Sequence, residues 1–251
     1  MDTRELMREL KVLGNVAVAY SGGIDSTLLT YLCKATGIDY IAVTVDSQVM
    51  ARDEVRNAVN IARELGFNHK VIQLDLLKCK EFVENTSERC YHCKKMILSA
   101  IKDFAGDRTV VEATNADDLH EHRPGLRAVE ELGVVSPLRL LTKEEIIKSA
   151  KEYGLPNWNK PSNSCLATRI IGQITEEELS RVEQAEEIVR KYGFSLVRVR
   201  VDSDKAVIQV AQNRLKDLFK IEDEVCGRIK RLLGFEQVLV DPEGYPSIEL
   251  Q

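Results

Sequence analysis

The run Ser21-Gly22-Gly23-Ile24-Asp25-Ser26-Thr27 lies between a short β-rich segment, Asn15 to Tyr20, and an apolar stretch of helical character, Leu28 to Cys33. A strand that enters a glycine loop and leaves as a helix is the arrangement with which doubly wound α/β folds hold phosphate, at the carboxyl end of a strand and the amino end of the next helix. Two glycines let the backbone approach an anion closely, and the Ser21, Ser26 and Thr27 hydroxyls add donors. The loop has neither the Gly-Lys-Ser/Thr ending of a Walker A motif nor the spacing of a dinucleotide fingerprint, which sets aside generic kinase, GTPase and NAD readings. The plain alternative is a tight turn with an Asp25-Ser26 helix cap, disfavoured by the strand before and the helix after.

The same alternation continues. Tyr40 to Val45 reads as a second strand, Asp53 to Leu65 as a helix closed by Gly66, Lys70 to Leu74 as a third strand and Thr109 to Glu112 as a fourth. Helices are expected at Lys94 to Phe104, Pro124 to Glu131 and Lys143 to Tyr153. This order predicts a parallel sheet. From Gly154-Leu155-Pro156 to about Gly172 the sequence turns irregular, which places the domain boundary there: residues 1–172 as the nucleotide domain, and 173–251 as a small α+β domain for substrate binding or oligomerisation. In the latter, Thr175 starts a helix with Glu178 at the capping-box position, strands follow at Leu196 to Val201 and Ala206 to Val210, then one helix over 212–233 and a strand at Gln237 to Val240.

Charge and composition narrow the function. Thirty-five Lys and Arg against 40 Asp and Glu give a formal net charge of −5, without the basic excess that long nucleic acid requires. A small-molecule substrate is expected. No apolar run approaches the roughly 20 residues of a membrane span, and Met1 to Lys11 has no signal-peptide core, so the chain is expected in the cytoplasm.

Glu112-Ala113-Thr114-Asn115-Ala116-Asp117-Asp118 closes the fourth strand, so its polar groups emerge on the same sheet edge as the phosphate loop. Hard oxygen ligands there suit Mg²⁺ on nucleotide phosphates, with Asp118 or Asp117 as the carboxylate; the plain alternative is an Asx-turn. Arg123 is assigned anion binding, whereas His120 and His122 read as surface residues.

Six cysteines are too few for a disulfide framework. Cys90-Tyr91-His92-Cys93 precedes the expected helix, and Cys165 sits in the irregular loop. Thiols beside Lys94, Lys95 and Arg169 suit metal ligands or nucleophiles. A tetrahedral zinc site wants four ligands, and three thiolates instead suit a [4Fe–4S] cluster with one open iron. A Cys90–Cys93 redox disulfide with a Cys165 persulfide, or three inert thiols, are the alternatives. Cys33, Cys79 and Cys226 read as small core residues.

Ser-Gly-Gly-Ile-Asp-Ser after such a strand resembles the PP-loop of the ATP pyrophosphatase superfamily. With Cys-Tyr-His-Cys-Lys, Thr-Asn-Ala-Asp-Asp-Leu, Arg-Pro-Gly-Leu-Arg-Ala and Lys-Pro-Ser-x-x-Cys-Leu-Ala-x-Arg in this order, Val16 to Val210 resembles the LarE family of ATP-dependent sulfur transferases. The resemblance implies adenylylation of a carboxylate of pyridinium-3,5-biscarboxylic acid mononucleotide, then sulfuration toward the nickel-pincer nucleotide. It implies ATP at Ser21, Gly22, Gly23, Asp25, Ser26, Thr27, Thr114, Asn115 and Arg123, with Mg²⁺ at Asp118. In the three-cysteine branch the equivalents of Cys90, Cys93 and Cys165 hold a [4Fe–4S] cluster that delivers sulfide from an external donor; in the single-cysteine branch the equivalent of Cys165 gives up its own sulfur and ends as dehydroalanine. Lys94 and Arg169 are expected to neutralise phosphate or the developing oxyanion. A homo-oligomer is implied by the family alone. Ile170-Ile171-Gly172 replaces the family's Pro-Tyr-Gly, Asp202 to Lys205 replaces a His-containing turn, and Gly244-Tyr245-Pro246-Ser247 resembles the family's tail. Rival readings are a tRNA thiolation enzyme, an ammonia-fed ligase and a nucleotide-sensing or iron–sulfur storage module.

Overall fold

The computed structural model describes residues 3–120, 123–160 and 163–245. His122, Pro161 and Ser162 of the sequence reading, and the Pro246-Ser247 tail, lie outside the described residues. The chain forms two compact units, Met1–Phe82 with Thr86–Asn163, and Val83–Asn85 with Ser164–Gln251. The main segment of the second unit therefore runs from Ser164, ahead of the position 173 expected from composition, and the unit also takes in residues 83–85.

The first unit runs α1 (Thr3–Leu13), β1 (Asn15–Ala19), α2 (Ile24–Thr36), β2 (Asp39–Asp46), α3 (Arg52–Glu64), β3 (His69–Gln73), α4 (Lys80–Val83, its last residue in the second unit), α5 (Arg89–Ala105), β4 (Thr109–Val111), α6 (Gly125–Glu131) and α7 (Lys143–Glu152). Its four strands are parallel in the order β3-β2-β1-β4, as the alternation predicts. β1 alternates faces. Val16 and Val18 pack with Leu6 and Leu10 of α1, Leu28, Leu29 and Leu32 of α2 and Ile146 of α7, whereas Ala17 meets Leu98, Ile101 and Ala105 of α5. Both faces are thus buried, and strand order reverses between β1 and β4, which opens a crevice at their carboxyl ends.

α5 starts at Arg89, five residues ahead of the expected start. No glycine or proline separates Cys90 from Lys94, so the helix runs back through the cysteine pair and both thiols sit in its opening turns.

The second unit contains β5 (Ile170–Ile171), α8 (Glu176–Lys191), β6 (Val197–Asp202), β7 (Lys205–Val210), α9 (Leu215–Phe219), α10 (Glu222–Leu233) and β8 (Gln237–Val240), with strand order β5-β6-β7-β8. Thr175 caps α8, its hydroxyl accepting from the Glu178 backbone N–H at 3.1 Å. The single helix expected over 212–233 is broken, because Ile221 leaves helical conformation (φ −124°, ψ 16°) and becomes the N-cap of α10. Asn85 ties residues 83–85 to this unit, its Nδ2 donating to the carbonyls of Ile170 at 2.9 Å and Gly172 at 2.7 Å.

Candidate active site

The phosphate loop is shaped by its own hydroxyls and by one distant amide. The Ser26 hydroxyl donates to the Gly23 carbonyl at 3.0 Å and accepts from the Ser21 backbone N–H at 3.2 Å, while the Ser21 hydroxyl accepts from the Gly23 N–H at 3.3 Å. Gly22 is required twice over: its φ is +75°, and a Cβ there would stand 2.7 Å from Cα of Ala58 in α3. Asn157, 4% exposed, donates from Nδ2 to the Gly22 carbonyl at 2.9 Å and to the Thr27 hydroxyl at 3.0 Å. Sequence reading gave Asn157 no role.

The loop borders a cleft of about 330 Å³ whose walls include Ser21, Gly23, Asp25 and Ser26 on one side and Lys94, Glu112, Thr114, Asp118 and Arg123 on the other. Val43, Val45, Met50, Ile97 and Ile101 add an apolar wall. Acidic and basic groups in it are paired. Asp25 is bracketed by Lys143, with Nζ 2.7 and 2.8 Å from its two oxygens. Burial pushes the Asp25 carboxyl above its ordinary value, and the Lys143 charge counters that only in part. Arg123 meets Asp118 at 2.8 Å. Asp118 and Asn115 are interlocked, each side-chain oxygen accepting the other's backbone N–H, at 3.1 and 3.0 Å; Asp117 accepts from the Lys143 backbone N–H at 2.7 Å. The Asx-turn and the acidic cleft wall thus coexist in one loop.

Glu112, 2% exposed, is the centre of the far wall. It accepts from Lys94 Nζ at 2.8 Å, from the Thr114 hydroxyl at 2.9 Å and backbone N–H at 3.0 Å, and from the Ser136 hydroxyl. Burial opposes its charge, but the Lys94 cation and the Ser136 and Thr114 hydroxyls outweigh burial and hold the carboxyl below its usual range.

Lys94, Ile97 and Ile101 are the cleft-facing positions of α5. Cys90 precedes Lys94 by four residues and Cys93 precedes Ile97 by four, so both thiols continue that stripe at the amino end of the helix. Cys90 is exposed and Cys93 half-buried. A two-thiol edge one helical turn apart has the donor chemistry of an iron–sulfur ligand pair. Among the described residues no third His, Cys, Asp or Glu completes a metal-binding group with it. By contrast, burial pushes the Cys33 thiol up to about 12, as suits a core residue, whereas Cys79 and Cys226, expected in the core, are only half-buried; Cys226 is pushed up to about 11 by burial and then by the Glu222 and Asp223 charges.

Cys165 belongs to the second unit, half-buried, where it opens a 3₁₀ turn, Leu166–Arg169. Arg169 is 2% exposed: its Nε donates to Glu186 at 2.9 Å, and its Nη1 donates to the carbonyls of Ser164 at 2.7 Å and Cys165 at 2.6 Å. The guanidinium thereby sets the backbone that presents Cys165. Glu186 also takes Arg190 at 2.7 Å, and Arg198, 7% exposed, carries a buried Nε with no hydrogen-bond partner. Burial, then the neighbouring Arg169 charge, lowers the pKa of Arg198. Arg169, Arg190 and Arg198 thus gather around Glu186.

The parallel order with a Ser-Gly-Gly-x-Asp-Ser loop at its switch point defines a PP-loop fold of the ATP pyrophosphatase type. A family model described as "Family of unknown function (DUF7411)" matches residues 14–118. Pyridinium-3,5-bisthiocarboxylic acid mononucleotide synthase of Lactiplantibacillus plantarum is 35% identical over 96% of this chain and 91% of its own length. An uncharacterized protein of Synechocystis sp. is 32% identical over 95% of this chain and 92% of its own, and a glutamine-hydrolyzing GMP synthase of Thermus thermophilus is 28% identical over 76% of this chain and 44% of its own. The chain belongs to the LarE family.

Proposed function

We propose that this chain is an ATP-dependent sulfur transferase that converts carboxylates of pyridinium-3,5-biscarboxylic acid mononucleotide to thiocarboxylates, toward the nickel-pincer nucleotide. The carrying observation is the α5 stripe, which places Cys90 and Cys93 in line with the Lys94 and Ile97 positions of a cleft bordered by a phosphate loop. The name of the Lactiplantibacillus relative, a synthase of the bisthiocarboxylic product, supports the same acceptor.

ATP docks with its phosphates on Ser21, Gly22, Gly23, Ser26 and Thr27, and an acceptor carboxylate oxygen attacks the α-phosphorus. The bond to the bridging oxygen breaks and pyrophosphate leaves. Sulfide then attacks the acyl carbon and AMP departs with the former carboxylate oxygen. Asp25 and Asp118 would hold Mg²⁺, which supplies charge neutralisation on the phosphates. Their carboxylates are the hard oxygen donors that ion prefers, and their release from Lys143 and Arg123 would turn both cations toward the leaving pyrophosphate. Thr114 and Asn115 shape that wall, and Lys94, fixed by Glu112, faces charge developing at the activated carboxyl. Cys90, Cys93 and Cys165 would hold a [4Fe–4S] cluster, whose open iron supplies sulfide from an external donor when bound. Arg169 acts through the backbone of Cys165, and Arg198, with its Nε unbonded beside Arg169, offers an environment for the acceptor's phosphate. The reading includes a cytoplasmic location and a homo-oligomer; among the described residues no helix is long and apolar enough to cross a membrane.

The test is anaerobic incubation with ATP, sulfide and the pyridinium mononucleotide, followed by mass analysis. Thiocarboxylate, AMP and pyrophosphate in step support the reading. Dehydroalanine at position 165 would replace the cluster with sacrificial chemistry, and AMP without any sulfurated product would remove sulfur transfer altogether.

A further inference from the structure

The turn of α5 that carries Cys90 and Cys93 has no side-chain cap of its own. Glu88, the N-cap residue, sits at φ −83° and ψ −4° and makes no side-chain capping bond; the first turn has no acidic residue and opens with Arg89. Both features weaken a helix start, since no side chain accepts from its opening N–H groups and a cation faces the positive end of the helix dipole; the Arg89 N–H is met by the Thr86 carbonyl, at 3.0 Å. The neighbouring helix α6 grips the turn from outside. The Arg127 guanidinium lies 3.7 Å from the ring centroid of Tyr91, and its Nη2 donates to the Glu88 carboxylate. Tyr91, 8% exposed, donates its hydroxyl hydrogen to Glu131 at 2.7 Å and accepts from Lys95 at 2.8 Å. One guanidinium therefore holds the residues on either side of Arg89-Cys90. α6 also begins against this turn: a Cβ on Gly125 would stand 3.6 Å from the Cys90 carbonyl oxygen.

We infer that Arg127 is a positioning residue for the cysteine pair: by gripping Glu88 and Tyr91 together it braces the opening turn of α5 from outside and keeps Cys90 and Cys93 one turn apart on the cleft-facing stripe. What the pair is for rests on the proposed sulfur chemistry, whereas the grip itself does not.

Amide hydrogen exchange on the full chain reads the turn directly. The His92 N–H is bonded to the Glu88 carbonyl at 3.1 Å, so it reports whether the turn stays closed. In Arg127→Met, which keeps an unbranched stem over Tyr91, the His92 and Cys93 amides should exchange at least about tenfold faster, while Leu98 and Ile101 keep their protection. Arg127→Lys should fall between Met and wild type, and Tyr91→Phe, which keeps the ring under Arg127 but loses the hydroxyl's bonds to Glu131 and Lys95, should accelerate the same two amides less. Unchanged exchange at His92 and Cys93 in Arg127→Met overturns the inference. So does acceleration running equally through Leu98 and Ile101, because Arg127 would then serve the helix at large. Iron bound after anaerobic reconstitution is the second readout, and it should be lower in Arg127→Met than in wild type. A wild type that binds no iron sinks the cluster reading and leaves the exchange result to decide the grip.

Discussion

Lys143, at the first residue of α7, bonds both carboxylate oxygens of Asp25 in the phosphate loop, at 2.7 and 2.8 Å, across 118 residues of sequence. The ion pair spends the loop's acid on a lysine, although burial already works against that acid's charge. Under the proposed function an incoming metal–nucleotide complex would exchange these partners, with Asp25 as a ligand for the metal and Lys143 freed for phosphate oxygens. Asp25→Asn should therefore lower pyrophosphate release by about 100-fold, the scale of a lost preorganised electrostatic group. Lys143→Met should lower it too, and should shift the Asp25 carboxyl further upward. A pH profile of pyrophosphate release in Lys143→Met checks this: its acidic limb should move to higher pH than in wild type.

Gly22→Ala meets two separate obstacles, a φ of +75° and a Cβ placed 2.7 Å from Ala58 Cα. Together they should cost about 2–4 kcal/mol of stability and abolish nucleotide binding. Adding Ala58→Gly removes the Cβ from α3 but neither the Ala58 backbone contact nor the dihedral strain. The double variant should thus recover only part of the melting temperature, measured by calorimetry.

Glu112 gives a pH dependence with a definite sign. Its carboxyl is held below the ordinary value of 4.5, so the stabilisation is fully present above about 4.5 and is lost as pH falls through the folded-state value. Glu112→Gln should cost about 2 kcal/mol at pH 7, because the Lys94 ammonium is left without its counter-charge. The same variant should lose less stability than wild type on acidification below 4.5, so the two denaturation midpoints converge there.

Local features of the site were legible in the sequence, and relationships over distance were not. The Ser21 to Thr27 loop announces itself because strand, glycines and helix are contiguous, and the Glu112 to Asp118 segment because it ends a strand on the same sheet edge. Lys143, Asn157 and Ser136 carried no signal, since each looks like an ordinary surface or loop residue until the fold closes it onto the site. Asn157 reaches Gly22 from 135 positions away. Helix edges failed where the opening turn is braced from another element: no side-chain cap marks a start at Arg89, and Arg127 of α6 bonds Glu88 just ahead of it. The break at Ile221 has no glycine or proline to announce it.

Arg169 and Glu186 form a buried pair, 2% and 0% exposed, that anchors the backbone of Cys165. Glu186→Gln removes the carboxylate that Arg169 and Arg190 both donate to, beside the buried Arg198, a loss of about 3–5 kcal/mol. Arg169→Lys keeps the charge but not the fork that joins Glu186 to the Ser164 and Cys165 carbonyls. It should destabilise less, yet change the rate at which Cys165 reacts with iodoacetamide, a readout that global stability alone would not move.

The six thiols should differ sharply toward iodoacetamide in the native protein at mildly alkaline pH. Thiolate is the reactive form, so a thiol whose pKa is raised by burial reacts slowly even where reagent can reach it. Cys33 is fully buried and pushed up to about 12, and Cys226 is pushed up to about 11 by burial and by Glu222 and Asp223. Cys90 is exposed at the start of α5, where reagent reaches it directly, and its sulfur lies 3.7 Å from Arg89 Nη2. Cys90 should therefore be alkylated first, with Cys33 and Cys226 modified only after unfolding, as peptide mapping at increasing reagent times would record. Reconstitution with iron and sulfide should protect Cys90, Cys93 and Cys165 together if all three ligate one cluster. Protection of the α5 pair with Cys165 still reactive would assign Cys165 to nucleophilic chemistry instead.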